Sequence, residues 1–249
     1  MPPTQRLKLL IAYDGAPFRG WQSQATGDAV QDHIETAFRK ILGHPIRIHG
    51  AGRTDAGVHA LGQVAHAEVP RDALSIFRWP LALNANLPDA VRVLRVSNAP
   101  ARFHAQWNAK GKIYTYRIWN GHSLHPLEIG RAWHVPGEID LPTLKRGAAL
   151  LEGSHDFANF AANRRQGEED TRRTLHRITL VRRGPLLTLR FSGNGFLYHM
   201  VRLLTGSLIR CAQGRAPTQW LADLVHRKTS EKTRYLAPAH GLYLTRVLY

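Results

Sequence analysis

One carboxylate is singled out by its surroundings. Asp55 lies in Gly52-Arg53-Thr54-Asp55-Ala56-Gly57-Val58-His59-Ala60, two residues after Arg53 and among glycines at 50, 52, 57 and 62. Glycine permits backbone bends that other residues resist, so this stretch reads as a tight loop. A lone carboxylate held on such a loop can serve as a nucleophile or a general base. An aspartate in a turn can equally do no more than accept from its own backbone. Tyr114 and Tyr116 are two apart on a strand pattern and therefore share a face. Strand aromatics in a basic protein can stack on bases, or they can fill a core. Arg202 follows His199 by three residues in a helical pattern, where it suits either a site or a helix surface.

Other chemistries find little support. His122 and His125 are neighbours, but no carboxylate or cysteine pattern completes a metal set around them. Asp55 and His59 are four apart, a metal-binding spacing on a helix, yet the stretch is too rich in glycine to be one. The single cysteine, Cys211, allows neither an internal disulfide nor a multi-cysteine zinc site. Phosphate-loop, dinucleotide and nucleophile-elbow motifs are missing from the sequence. The expectation is a site with no metal and no cofactor.

The charge balance points to the partner. The 249 residues carry 34 Lys and Arg against 18 Asp and Glu, a formal charge of +16. A polyanion is the natural partner of such a field, because each phosphate contact releases a counterion. Nucleic acid is the leading class, and an incidentally basic protein is the alternative. No apolar run approaches the roughly 20 residues of a membrane span, and Met1 to Arg6 has no leader-like apolar core. The expected location is the cytoplasm, with no membrane partner.

The elements that must position Asp55 follow from periodicity. Leu7, Leu9, Ile11 and Tyr13 alternate as a strand. Val30, Ile34, Ala37, Phe38 and Ile41 recur at helical spacing, with Asp28 and Gln31 suited to the cap and Gly43 closing the helix. Strands at 45–49 and 63–69 flank the Asp55 loop. A helix is expected near 73–84, broken or restarted at Pro80, and then a strand at 91–96. The rest of the chain gives strands at 112–119 and 132–135 and a helix marked by Leu141, Leu144, Ala148 and Leu151. A hairpin at 174–182 and 187–192 follows. A long helix over 196–212, a shorter one opening at Pro217 and a strand at 242–249 complete it. Each half runs β-α-β-β-α-β, the split βαβ order of ferredoxin-like folds. The expected fold is α+β, with halves 1–100 and 108–249 joined into one central, mostly antiparallel sheet. Helices would cover one face, and the active-site cleft would open on the other.

These residues also carry a family likeness. Gly52 to Ala60 resembles the active-site signature of the TruA-type tRNA pseudouridine synthases. Tyr13-Asp14-Gly15, Phe18-x-Gly20-Trp21-Gln22-x-Gln24, Asn84-Ala85-Asn86-Leu87-Pro88 and Phe103-His104-Ala105 fall in family order. So do Lys112-x-Tyr114-x-Tyr116, Arg173-Thr174, Gly195-Phe196-Leu197 with Met200-Val201-Arg202, and Gly241-Leu242-Tyr243-Leu244. The resemblance implies conversion of uridine to pseudouridine in the anticodon arm of tRNA (positions 38, 39 and 40) by a homodimer without cofactor. It implies that Asp55 is the catalytic carboxylate, attacking C1′ or taking a proton from C2′, with Arg53 filling the space of a flipped base. Tyr114 would pack on the uracil and relay a proton. Arg202 would pair with the acid and favour its ionised form. Leu244, His59 and Phe196 would contact the substrate. Arg164, Arg165, Arg172, Arg173, Arg177, Arg182 and Arg183 would bind phosphates or form a solvated basic face. The alternatives are a basic RNA-binding module without catalysis, or a synthase for another RNA position.

Overall fold

The computed structural model describes residues 3–162 and 170–249 and is α+β. Contacts divide the chain into two units, one of residues 1–110 with 243–249 and one of 111–242.

The first unit begins with β1 (Thr4–Tyr13), which buries Leu7, Leu9, Ile11 and Tyr13 on one side as the alternation requires. Helix α1 (Val30–Leu42) buries Val30, Ile34, Ala37 and Phe38 and ends at Gly43 with φ 77°. That left-handed turn is the standard glycine stop. The cap differs from the sequence expectation. Ala29 is the N-cap, and Asp32 reaches back to accept from its N–H at 3.0 Å. Gln31 turns inward, accepting from Ser23 N–H and donating to Glu35.

Strands β2 (Ile48–Gly50) and β3 (His59–Pro70) pair antiparallel, His49 opposite His66. Helix α2 (Trp79–Asn84) is shorter than expected because Pro80 starts it instead of interrupting it. Strand β4 (Val91–Ala99) completes the set. Within this unit the order is β4-β1-β3, both pairings antiparallel. Trp79 and Phe38 pack at 5.4 Å between α1 and α2. On the other side of β1, Lys8 lies 3.9 Å over the Tyr249 ring and 5.1 Å over Phe103. Next to it, His66 stacks on His49 at 5.0 Å and meets His104 at 4.6 Å.

The second unit holds β5 (Gly111–Trp119), the parallel two-residue β6 (Trp133–His134), and α3 (Leu141–Leu151). The short β7 (Gly153–Asp156) was not apparent in the sequence, since Gly-Ser-His-Asp has no strand pattern. Strands β8 (Arg172–Arg183) and β9 (Leu186–Gly193) form the expected hairpin. Helix α4 runs from Met200 to Ala212, four residues shorter at its start than the periodicity indicates. His199 stands before it at φ 62°, a left-handed conformation that blocks an earlier helical start. Helix α5 is Thr218–Val225, with Pro217 as its N-cap and not its first helical residue.

The strand order is β5-β9-β8-β7, all antiparallel. One face buries Tyr116, Ile118, Phe191, Leu189, Leu187 and Leu175. Its opposite carries Arg177, Arg190 and Val181, which are exposed, with Thr179 and Thr188 half-buried among them.

The closing strand β10 (Leu242–Leu248) pairs parallel with β3 through Tyr243 opposite His59 and Leu244 opposite Ala60. Its residues 243–249 thus cluster with the first unit, whereas element order assigns them to the second half. Pairing decides this, and a parallel partner needs a long crossover, here residues 71–241. Among the described residues no helix is long and apolar enough to cross a membrane.

Candidate active site

The Asp55 loop spans the eight residues between β2 and β3, and its middle is fastened down. The Thr54 hydroxyl lies 2.8 Å from the buried Tyr13 hydroxyl, and its carbonyl accepts from Trp21 N–H at 3.1 Å. Gln63 donates to the Gly52 carbonyl at 2.8 Å. Val58 N–H returns to the Asp55 carbonyl at 3.1 Å, and Gly57 has φ 76°. That is the positive φ a type II turn demands at its third residue. Thr54 is thus drawn inward. Arg53 is exposed and Asp55 is half-buried.

The segment after β1 braces this loop by close backbone approach. A Cβ on Gly15 would fall 2.1 Å from the Val58 carbonyl oxygen, and one on Gly20 would fall 2.6 Å from that of Thr54. The Trp21 indole occupies the space where Gly50 has no side chain. The sequence reading missed these contacts, although Tyr13-Asp14-Gly15 and Gly20-Trp21 are among the residues that carry the family likeness.

His59 opens β3 at the end of the loop. It is 2 % exposed, stacked on Tyr243 at 4.6 Å, with Nδ1 3.1 Å from both Gly15 N and Asp14 Oδ1. It anchors the foot of the loop. Leu244 is fully buried on β10, beside Ala60 at the start of β3. In the first unit the structure therefore gathers Asp55, Arg53, His59 and Leu244 about one loop and the strand leaving it.

In the second unit Tyr114 is 7 % exposed and meets Phe196 edge-on at 5.1 Å. Tyr116, on the same face, donates its hydroxyl to the Pro238 carbonyl at 2.6 Å and is a core residue. Arg202 lies in the first turn of α4, half-buried, with Nε donating to the Ala237 carbonyl at 2.8 Å. That bond holds its stem at a fixed angle. Of the expected phosphate-binding arginines, Arg172, Arg177, Arg182 and Arg183 are exposed and Arg173 is half-buried; Arg164 and Arg165 lie outside the described residues. Among the described residues no group of three or more His, Cys, Asp or Glu could hold a metal ion.

The family profile described as tRNA pseudouridine synthase matches residues 9–108 and 148–249, which include the whole Asp55 loop. The chain belongs to the tRNA pseudouridine synthase family. Relatives named tRNA pseudouridine synthase A resemble this family member over nearly its full length. That of Akkermansia muciniphila is 42% identical, covering 98% of this chain and 95% of its own. That of Geobacillus kaustophilus is 40% identical, over 99% and 95%. One from a Bradyrhizobium species is 40% identical, over 98% and 99%.

Proposed function

We propose that the chain converts uridine to pseudouridine in the anticodon arm of tRNA, with Asp55 as the catalytic carboxylate. Membership of the family makes it an isomerase that acts on tRNA. The observation that favours Asp55 is the anchored Thr54, which fixes the braced loop and on either side of which Arg53 is exposed and Asp55 half-buried. In the reaction the N1–C1′ bond of uridine breaks, the uracil turns, and a C5–C1′ bond forms. C5 gives up its proton and N1 gains one, so product and substrate are isomers.

Each remaining residue has a role in this reading. The target base must leave its stack, which costs a few kcal/mol. Arg53 is exposed and has the length to occupy the vacated space. Tyr114 packs on the uracil and passes a proton, with Phe196 fixing its ring. Arg202 supplies a cation to the reaction, its stem held by the bond to the Ala237 carbonyl. His59 and Leu244 support the loop from beneath, through Tyr243 and Ala60. We take the working enzyme to be a cytoplasmic homodimer that requires no cofactor.

Incubation with unmodified tRNA, followed by carbodiimide treatment and primer extension, tests the reading. Stops in the anticodon arm are expected with the natural sequence and not with Asp55→Asn. Stops elsewhere overturn the target, and turnover by Asp55→Asn overturns the assignment of the carboxylate. Tyr114→Phe should slow a single turnover while sparing binding. An unchanged rate would remove the relay.

A further inference from the structure

The turn that follows β4 holds an indole out of the protein. Trp107 is 79 % exposed, whereas Phe103 and His104 before it are half-buried and Ala105 is buried. The backbone of this turn is fixed at several points. Arg6 donates to the Phe103 carbonyl at 2.8 Å and the Tyr249 hydroxyl to the Ala105 carbonyl at 2.7 Å. Ala105 N–H donates to His66 Nδ1 at 3.1 Å. Asn108 closes the turn, its Oδ1 accepting from His104 N–H at 2.6 Å and its own N–H donating to the His104 carbonyl at 3.1 Å. His104 Nδ1 accepts from the N–H groups of Gln106 and Trp107 at 3.2 and 3.3 Å.

The indole itself is seated. It lies flat on the His104 imidazole, with centroids 3.8 Å and planes 13° apart. His104 meets His66 edge-on at 4.6 Å, and His66 stacks on His49 at 5.0 Å. Trp107 therefore ends a column of rings that rises from β2 and β3, with one face supported and the other open to solvent.

The surroundings are basic. His49, His66 and Lys8 form one row across β2, β3 and β1, on the side of the sheet away from Leu7 and Leu9. Arg95 of β4 is opposite Leu10, so it shares that side, and it is exposed. Arg6 on the same side is paired with Glu68. Arg102 and Lys110, both exposed, flank the turn in sequence, and no Asp or Glu occurs between Asp89 and Glu128. Gln106 and Asn108 are exposed beside the indole. A fixed aromatic ring among polar and cationic groups suits a nucleotide, whose base stacks and whose phosphate carries the opposite charge.

We propose that Trp107, backed by His104, is a stacking platform for an unpaired base of the tRNA other than the uridine that reacts. This rests on the functional reading above for the identity of the RNA. The ring is already ordered in the fold, so little conformational freedom is lost when a base settles on it. Strand β2, which carries His49 at the foot of the column, leads directly into the Asp55 loop. A base held on Trp107 thus sets the register in which the RNA meets that loop, and the platform acts on affinity and positioning, not on bond breaking.

Single abasic residues placed in turn at the unpaired positions of unmodified tRNA read the contact with the full chain. At one position, distinct from the modified uridine, loss of the base should weaken binding to the natural sequence about tenfold, the scale of one stacked base. Trp107→Ala should bind intact tRNA about tenfold more weakly and lose nothing further at that abasic position. Trp107→Phe keeps a flat ring and should restore most of the affinity. Emission gives a second readout, because the natural sequence minus Trp107→Phe isolates the Trp107 signal. Acrylamide should quench that signal in the free protein, and tRNA should shield it. Additive losses at every abasic position overturn the proposal, as does coupling at the modified uridine itself. So does a Trp107→Ala variant that separates copies of the chain in sedimentation while its tRNA affinity holds, since the indole would then be a protein contact. Pseudouridine formation is followed in parallel. Its absence with the natural sequence would sink the functional reading, while the abasic coupling would still decide the platform.

Discussion

The Tyr13 and Thr54 hydroxyls meet at 2.8 Å beneath the loop that carries Asp55, joining residues 41 apart in sequence. Burial pushes the Tyr13 phenol far above its ordinary pKa, so it stays a neutral hydroxyl at any physiological pH. Thr54→Val keeps the shape and removes the bond. A loss of about 1–2 kcal/mol is expected in denaturant unfolding. Turnover should fall more than tRNA affinity, because the carboxylate proposed as catalytic is one residue away. Equal kcat in the variant would show that the anchor serves stability alone.

Asp55→Asn is nearly isosteric and removes the negative charge. Single-turnover rates should drop by about a thousandfold or more, on the scale of losing a group that acts in bond breaking. The dissociation constant for tRNA should change little. A coupled loss of binding would point to a structural part for the side chain.

Two glycines separate close approach from backbone freedom. Gly15 meets the Val58 carbonyl, so Gly15→Ala must displace the Asp55 loop and cost about 3 kcal/mol. Gly27 has φ 73° with open space where its Cβ would lie, so Gly27→Ala costs about 1 kcal/mol from strain alone. Only the first should depress turnover at a temperature where both variants are folded. Thermal melting with parallel rate measurements distinguishes them.

His66 sets a pH dependence of stability. It is 3 % exposed, and burial, then His104, His49 and Arg6, lower its pKa to about 4. Its unfolded value is near 6.5. Between those values the unfolded chain binds the proton that the folded chain refuses, so stability rises with pH. The contribution is complete above about pH 6.5 and is lost as pH falls toward 4, by about 2 kcal/mol at pH 5. His104 is shifted in the same direction, again mainly by burial. Melting curves at pH 7 and pH 5 should differ more for the natural sequence than for His66→Gln. An equal difference would assign the acid sensitivity to other groups.

Cys211 should be inert. Burial pushes its thiol up to about 11, with Arg210 opposing weakly. Reaction with a disulfide reagent at pH 8 should be at least about a hundredfold slower in the folded protein than in urea, following the thiolate fraction and access. Fast labelling of the native state would mean that α4 opens readily.

Much of the scaffold was legible in residue periodicity. β1 alternates cleanly, α1 keeps a helical stripe up to Gly43, and the β8–β9 hairpin turns at Gly184. The Asp55 loop was legible because glycines crowd it. What escaped depends on distant partners. Nothing near Thr54 names Tyr13 as its anchor. Phe196 to His199 continues an apolar helical pattern, and only the left-handed His199 ends it. Leu242 to Leu248 reads as a strand, but its composition does not say which strand it joins. Polar β7 has no pattern and exists because Thr174 and its neighbours pair with it.

The pairing of β10 with β3 has a consequence for the order in which the protein is made. Tyr243, which stacks on His59 at the foot of the Asp55 loop, emerges from the ribosome after the whole of residues 111–242. The loop and its brace at Gly15 are translated early, but the strand beneath them comes last. A nascent chain can therefore carry every residue of the Asp55 signature and still lack its floor. Premature stops just before residue 243 would yield chains with an intact signature and an open sheet edge, a species for quality control to remove rather than a partly active enzyme.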